Sequence, residues 1–362
     1  MKKRSIIRHY FKCFACLAVC LGCIFACTED EGSQPIIDRS AISEWQIDTL
    51  HDSISGQWIQ PWEMLVLDTS HIIIGGYAAN AEYNQFEING TFIRNIPGPP
   101  VYSLCRAETG YYVVGGPLFH YLTSSKVNIY RIYNAYIRGQ SITKLGKSEY
   151  IIGTLRDGIY RFDGKSFTKD SVAVRIRDVA NTMFYFMDIE RHSGQLYAVC
   201  NYLINDNASE WAYLLKETSK GKWEYIDSCF IADVSNPDSA RFGNSRLFAS
   251  SDDVLFSAGP GGVFRLIDEK HWDRLLETEA CFSIGGTRSD DMFFGSVDGV
   301  LYYYNGSSIQ EVEWPEGAVY KLVTNVTVSD DHIYVLTTGV NSNDAYLLRG
   351  KRANRGVVQV VH

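Results

Sequence analysis

Three acids set in strand-like apolar runs, Glu63 in "PWEMLV" and Asp188 with Glu190 in "FMDIE", are the residues best suited to acid–base work. Two inward carboxylates facing each other across a cleft can act as acid and as nucleophile or base. The rest of the sequence offers them little company. No HExxH, P-loop, dinucleotide fingerprint or GxSxG elbow follows the leader. The eight His are scattered, with no pair at metal-ligand spacing. Asp252-Asp253, Asp290-Asp291 and Asp330-Asp331 recur, each behind a Ser and ahead of an apolar run. They read as turn formers of different repeats, which the architecture keeps apart, and not as a cation cage. Of nine Cys, five fall in the first 27 residues, where the "CFAC" spacing is incidental to a segment destined for removal. Cys105, Cys200, Cys229 and Cys281 lie in or beside apolar runs and read as buried free thiols. Cys200 with Cys229 is the one disulfide worth weighing, since both fall in one repeat. No metal or cofactor is expected.

The elements that must position these acids repeat. "YIIGTLRDGIYRFDGKSF" (150–167) and "MFFGSVDGVLYYYNGSSI" (292–309) show the unit: an apolar run closed by a small residue, a turn, then an aromatic-rich run. The closing residues are Gly75, Gly115, Gly153, Cys200, Ser257, Gly295 and Thr337, spaced by 40, 38, 47, 57, 38 and 42. The turns recur too: Asp157-Gly158, Gly261-Gly262 and Asp298-Gly299 between second and third strands, and Asn89-Gly90, Asp163-Gly164 and Asn305-Gly306 between third and fourth. Such pairs supply the positive φ that tight hairpins demand. No useful helical periodicity follows the leader, so the chain is all-β. Units of this length that cannot bury their own apolar faces stack into a ring. The sequence predicts a seven-bladed β-propeller of four-stranded antiparallel blades over 44–362, with six or eight blades as alternatives. The blades fall at about 59–96, 100–137, 139–171, 181–230, 243–277, 279–313 and 318 to the end. An open ring leaves two bare edges, so one terminus must close it. Trp45–Leu50 is preferred over Gly356–His362 as the closing strand.

In such a ring the first strands line the channel, which makes Glu63, Asp188 and Glu190 candidate channel residues. Trp62, Tyr102, Phe282 and Tyr320 occupy matching first-strand positions in "PWEM", "VYSL", "CFSI" and "VYKL". They read as interblade packing or as a ring of ligand contacts. Arg156, in a second-to-third-strand turn, reaches the same mouth. Two insertions, 201–210 and 231–242, lie on that face and carry Tyr202, Asp206, Asp238 and Arg241, with Trp211 directly after the first, side chains suited to sugar or peptide contact.

"YIIGTLRDGIYRFDGKSF", and less closely "VLFSAGPGGVFRLIDEKHW" and "MFFGSVDGVLYYYNGSSI", resemble blades of the regulator-type and quinoprotein-like propellers of Bacteroidetes sensors and lipoproteins. The resemblance implies a fold and says little about activity. The reading is a non-catalytic propeller that binds a glycan or an envelope protein. The alternatives are a polysaccharide lyase or glycoside hydrolase on the same ring, and a docking or sensory component of an envelope assembly.

The leader sets the compartment. Lys2, Lys3, Arg4, Arg8 and Lys12 precede the apolar run Phe14–Ala26, too short to span a bilayer comfortably. "IFAC" followed by "TEDEGSQP" resembles a bacterial lipobox, which implies Cys27 as the lipidated residue, 1–26 as the signal and 27–43 as a polar tether; "CLGC" at Cys20–Cys23 is its rival, and a plain secretory signal cut nearby is the alternative. The acids Glu29–Glu31 behind it resemble a surface-export signal, so the expectation is an outer-membrane lipoprotein facing outward. Loss of the five basic leader residues and no acid takes the net charge from −8 to −13, which argues against a nucleic-acid partner.

Overall fold

The computed structural model describes residues 42–50, 60–77, 83–90, 92–97, 100–115, 118–123, 127–131, 138–155, 157–173, 182–204, 207–230, 240–277, 280–315, 318–339 and 345–352. The chain divides into two compact units, Met1–Asp38 with Arg355–His362, and Arg39–Asn354. The first lies wholly outside the described residues, and with it Cys27 and Gly356–His362.

Within the second unit the described strands form seven four-stranded antiparallel blades. Blade 1 runs from Gln60 to Pro97, blade 2 from Ser103 to Arg131, blade 3 from Arg138 to Lys169 and blade 4 from Thr182 to Phe230. Blade 5 runs from Arg246 to Leu276 and blade 6 from Cys281 to Glu311. Blade 7 takes three strands from Tyr320–Arg352 and its outer strand from Ile42–Thr49. Blades 3 and 4 merge into one nine-stranded sheet where Leu155 pairs with Tyr185. The sheet also gains Ser171–Ala173, parallel to the outer strand of blade 4.

Each blade's first strand touches the first strand of the next blade, and blade 7 returns to blade 1. The core is correspondingly divided into seven layers, one per interface. Ile72 and Ile74 pack in the layer shared with blade 7, while Ile73 packs in the layer shared with blade 2. Tyr150 and Ile152 against Ile151 repeat this alternation in blade 3. A strand buried on both faces must be apolar at every position, which explains why the second strands read as unbroken apolar runs. This is a seven-bladed β-propeller.

The small residue that closes many of these runs has a packing cause. A Cβ on Gly75 would fall 2.2 Å from the Val101 side chain of blade 2, and one on Gly295 would fall 2.3 Å from Val323 of blade 7. The second residue of each of the six turns read from the sequence, a glycine in every case, adopts positive φ.

Closure is by the N-terminal strand. Trp45 pairs with Gly350 and Asp48 with Leu347, and Arg349 donates to both Asp48 carboxylate oxygens at 2.8 and 3.0 Å. Trp45 packs on Trp314 at 5.8 Å between ring centroids.

On the face formed by the first-to-second-strand turns, the Asp pairs do more than form turns, and adjacent turns are not kept apart. Asp252 accepts from the Ser289 N–H and hydroxyl of the next blade, and Asp253 from those of Ser193 in the preceding one. Asp291, fully buried, binds Arg352 of blade 7. The four cysteines are free, and Cys200 and Cys229 lie in layers on opposite faces of blade 4.

Candidate functional site

The hub holds a cavity of about 670 Å³ that opens where the first strands begin and the second strands end. Its position follows from a recurring irregularity. The ladder between first and second strands skips one residue in blades 1, 3 and 4, and two in blades 6 and 7. The skipped residues are Trp62, Gln140, Met187, Phe282, Thr287, Lys321 and Thr324, and all but Thr287, near the far end of its strand, line the cavity. A bulge leaves one residue unpaired and re-aims its side chain. Strict alternation would send these side chains into the interblade layers; the bulge turns them to the hub. Tyr102, Ser245 and Arg246 reach the same space from the entries of blades 2 and 5.

Beneath this rim lies a polar network. Arg246 Nη2 bonds Glu63 Oε2 at 3.0 Å, and Asn325 Nδ2 donates to Glu63 Oε1 at 2.7 Å. Asp188 accepts from the N–H groups of Ile189 and Leu247 at 2.9 and 3.0 Å. Burial pushes the Asp188 carboxyl up to about 6 against the pull of Arg246 and of those two N–H groups. Glu190 is pushed up to about 7, first by burial and further by Asp188, against the Arg191 N–H that it accepts. The three acids foreseen as candidate channel residues are thus first-strand residues of one region, yet none lines the cavity. Arg246 and backbone N–H groups occupy Glu63 and Asp188, which makes them parts of the wall.

The titration of Glu190 has a measurable consequence. Folding raises its carboxyl from 4.5 to about 7, so the folded chain holds the proton more tightly than the unfolded one. The stability this lends is whole below about 4.5 and is lost as the pH rises through about 7. At about 1.4 kcal/mol per unit, Glu190→Gln should stabilise the chain at pH 8 by up to about 3 kcal/mol, with the gain vanishing toward pH 4.5. Thermal melts of both chains across that range check it, and a pH-independent difference would refute the burial account.

Of the aromatic residues foreseen at matching positions, Trp62, Tyr102 and Phe282 line the cavity. Tyr320 does not. In blade 7 the bulge falls on Lys321, so Tyr320 stays in register opposite Gly339 and packs into the core against Trp314 and Tyr346, at 5.0 and 5.7 Å. Tyr185, Gln60, Gln140, Met187, Arg246 and Lys321 were not foreseen, because only a bulge or a strand's entry angle aims them at the hub.

The insertion 201–210 proves to be a long hairpin. Strands Gln195–Ile204 and Asn207–Ser219 extend blade 4 upward, with Tyr202 opposite Phe184 and Trp211 opposite Phe230. Trp211 is 42% exposed and lies away from the cavity lining. Arg241 sits elsewhere: it donates to Asp227 Oδ1 at 2.7 Å and lines a separate cleft between blades 4 and 5 with Trp272. Asp206, Asp238 and Arg156 lie outside the described residues. Among the described residues no group of His, Cys, Asp and Glu could hold a metal ion.

No family model matches this chain, and no curated protein does. Solved structures do. One is YCF48 bound to D1 peptide, with a TM-score of 0.59 at 14% identity, covering 86% of this chain and 96% of that one. Another is a catalytically inactive virginiamycin B lyase from Staphylococcus aureus with quinupristin, at 0.58 and 15%, covering 84% and 99%. A third is the extracellular domain of the hybrid two-component system BT4673 from B. thetaiotaomicron, at 0.58 and 14%, covering 86% of this chain and 40% of that one. At such identities the likeness carries the propeller fold alone.

Proposed function

We propose that this chain is a binding propeller that receives a protein partner at its channel mouth and performs no chemistry there. The observation that carries this reading is the hub lining. Bulges aim Trp62, Met187 and Phe282 into one cavity with Tyr102, Tyr185, Val297 and Leu322, while among the described residues no carboxylate lines it. A concave, mainly apolar space with a few amides and hydroxyls suits side chains of an inserted segment. The similar YCF48 structure has a peptide bound, and the similar BT4673 domain belongs to a two-component system. A glycan is the second reading, favoured by the Trp62 and Tyr102 rings beside the Gln60 and Gln140 amides. The basic and apolar leader supports an envelope location for this activity, with a lipid on Cys27 holding the ring to the outer membrane.

Peptide and glycan arrays probed with the purified chain test the reading. Trp62→Ala and Phe282→Ala should each weaken the best ligand by tenfold or more with the fold intact, as truncation of a buried aromatic anchor does. Unchanged binding in both variants, or turnover of a glycan, would overturn it. Labelled palmitate should enter the chain in a bacterial host and fail to enter Cys27→Ser.

A further inference from the structure

We propose that the ligand at the channel mouth presents a carboxylate flanked by an apolar side chain, and that Lys321 receives this carboxylate. The proposal rests on the peptide-binding reading above and narrows it. Among the described residues two cations line the cavity, Arg246 and Lys321. Arg246 is engaged, bonded to Glu63 at 3.0 Å with Asp188 acting on it as well. Lys321 is exposed and has no ion-pair or hydrogen-bond partner among the described residues, although the chain carries 42 acids against 34 Lys and Arg. Its placement is structural: the bulge between the pairs Tyr320–Gly339 and Leu322–Thr338 turns it to the hub.

Its neighbours define what accompanies the charge. Phe282, Lys321 and Trp62 come from blades 6, 7 and 1, which are consecutive around the ring, so Lys321 stands between two aromatic residues in the order of the cavity lining. A ligand that meets all three offers one anionic group and an apolar side chain beside it. Glu63 and Asp188, one layer down, share the single positive charge of Arg246, which leaves no second cation for a further negative charge on the ligand, so a carboxylate fits better than a phosphate dianion. In a peptide that carboxylate comes either from the chain's own C-terminus or from an Asp or Glu next to an apolar residue.

The test uses a synthetic peptide array printed in duplicate, with C-termini as free acid and as amide, and with internal Asp or Glu replaced by Asn or Gln. The proposal expects binders to carry a carboxylate next to Phe, Trp, Leu or Met. Removing that carboxylate, or substituting Lys321→Gln in the protein, should weaken binding about tenfold, near 1.4 kcal/mol. The two losses should not add, and Lys321→Glu should weaken binding further. Loss confined to C-terminal amides identifies a chain end as the source, and loss confined to Asn or Gln replacements identifies a side chain. If peptides bind in a way that depends on Trp62 but ignores both amidation and Lys321→Gln, this proposal fails while the peptide reading stands. If no peptide binds and a glycan does, both fail.

Discussion

A chain that begins at residue 51 should fail to fold into a monomeric ring, the largest effect expected of any single alteration. The strand Ile42–Thr49 is the fourth strand of blade 7, and Leu50 behind it is buried in the layer between blades 7 and 1. Its removal uncovers the ladder edge of Ala345–Arg352, the packing of Trp45 on Trp314, and the Asp48–Arg349 ion pair, both of whose side chains are mostly buried. Burial of one Trp and one Leu contributes roughly 2–3 kcal/mol each. The lost ladder bonds and the bare strand edge add to that, so the total approaches the whole stability of a typical domain, about 5–15 kcal/mol. Differential scanning calorimetry and size-exclusion chromatography check it: the expected result is loss of the cooperative transition and a shift to aggregates. A monomer that melts within a few degrees of the intact chain would mean that the ring does not depend on this strand.

Arg352→Ala should cost about 3–5 kcal/mol, the second-largest effect. Arg352 is 5% exposed and its guanidinium holds both oxygens of Asp291, itself fully buried, while also donating to Ser329 O at 3.2 Å. The truncation leaves a carboxylate in the layer between blades 6 and 7 with its guanidinium partner gone. The hydroxyl of Thr287 still donates to it, which recovers little of the lost interaction. Replacing both partners, Arg352→Met with Asp291→Asn, should recover part of the loss, because most of the cost comes from the charge left behind. Chemical denaturation of the two single variants and the double variant checks this. Equal destabilisation in Arg352→Ala and the double variant would refute it.

Much of the architecture was written locally. Gly75, Gly153 and Gly295 mark where the next blade crosses, and each Asn-Gly or Asp-Gly turn needs a backbone angle that few other residues tolerate. Runs such as Ile72–Ile73–Ile74 state that both faces are buried. Signals of this kind lie within one repeat, so counting them gave the blades and their limits within a few residues of the observed strands. The closing strand was legible only as a preference between the two termini, since a ring must end on a paired edge and Trp45–Leu50 offers a Trp and an apolar–polar alternation in sequence.

The candidate site was legible only where a side chain declared itself by size. Trp62, Tyr102 and Phe282 stood out as aromatic residues at one repeated position, and Tyr320, matched by the same rule, fell in the core. The difference is one skipped residue in a ladder. A bulge changes which face a side chain takes without altering composition or period, so nothing in "VYKL" separates Tyr320 from Lys321. The pairing of Glu63 with Arg246 was equally hidden, because it joins blades 1 and 5 across the hub. The sequence by itself determined an all-β ring of repeats and its turns, because these depend on residues close together in the chain; it favoured the closing strand without deciding it, since Trp45 pairs with the distant Gly350. Only the tertiary structure decided which side chains meet at the hub and which acids are neutralised there, because both depend on strands far apart in sequence and on register shifts of a single residue.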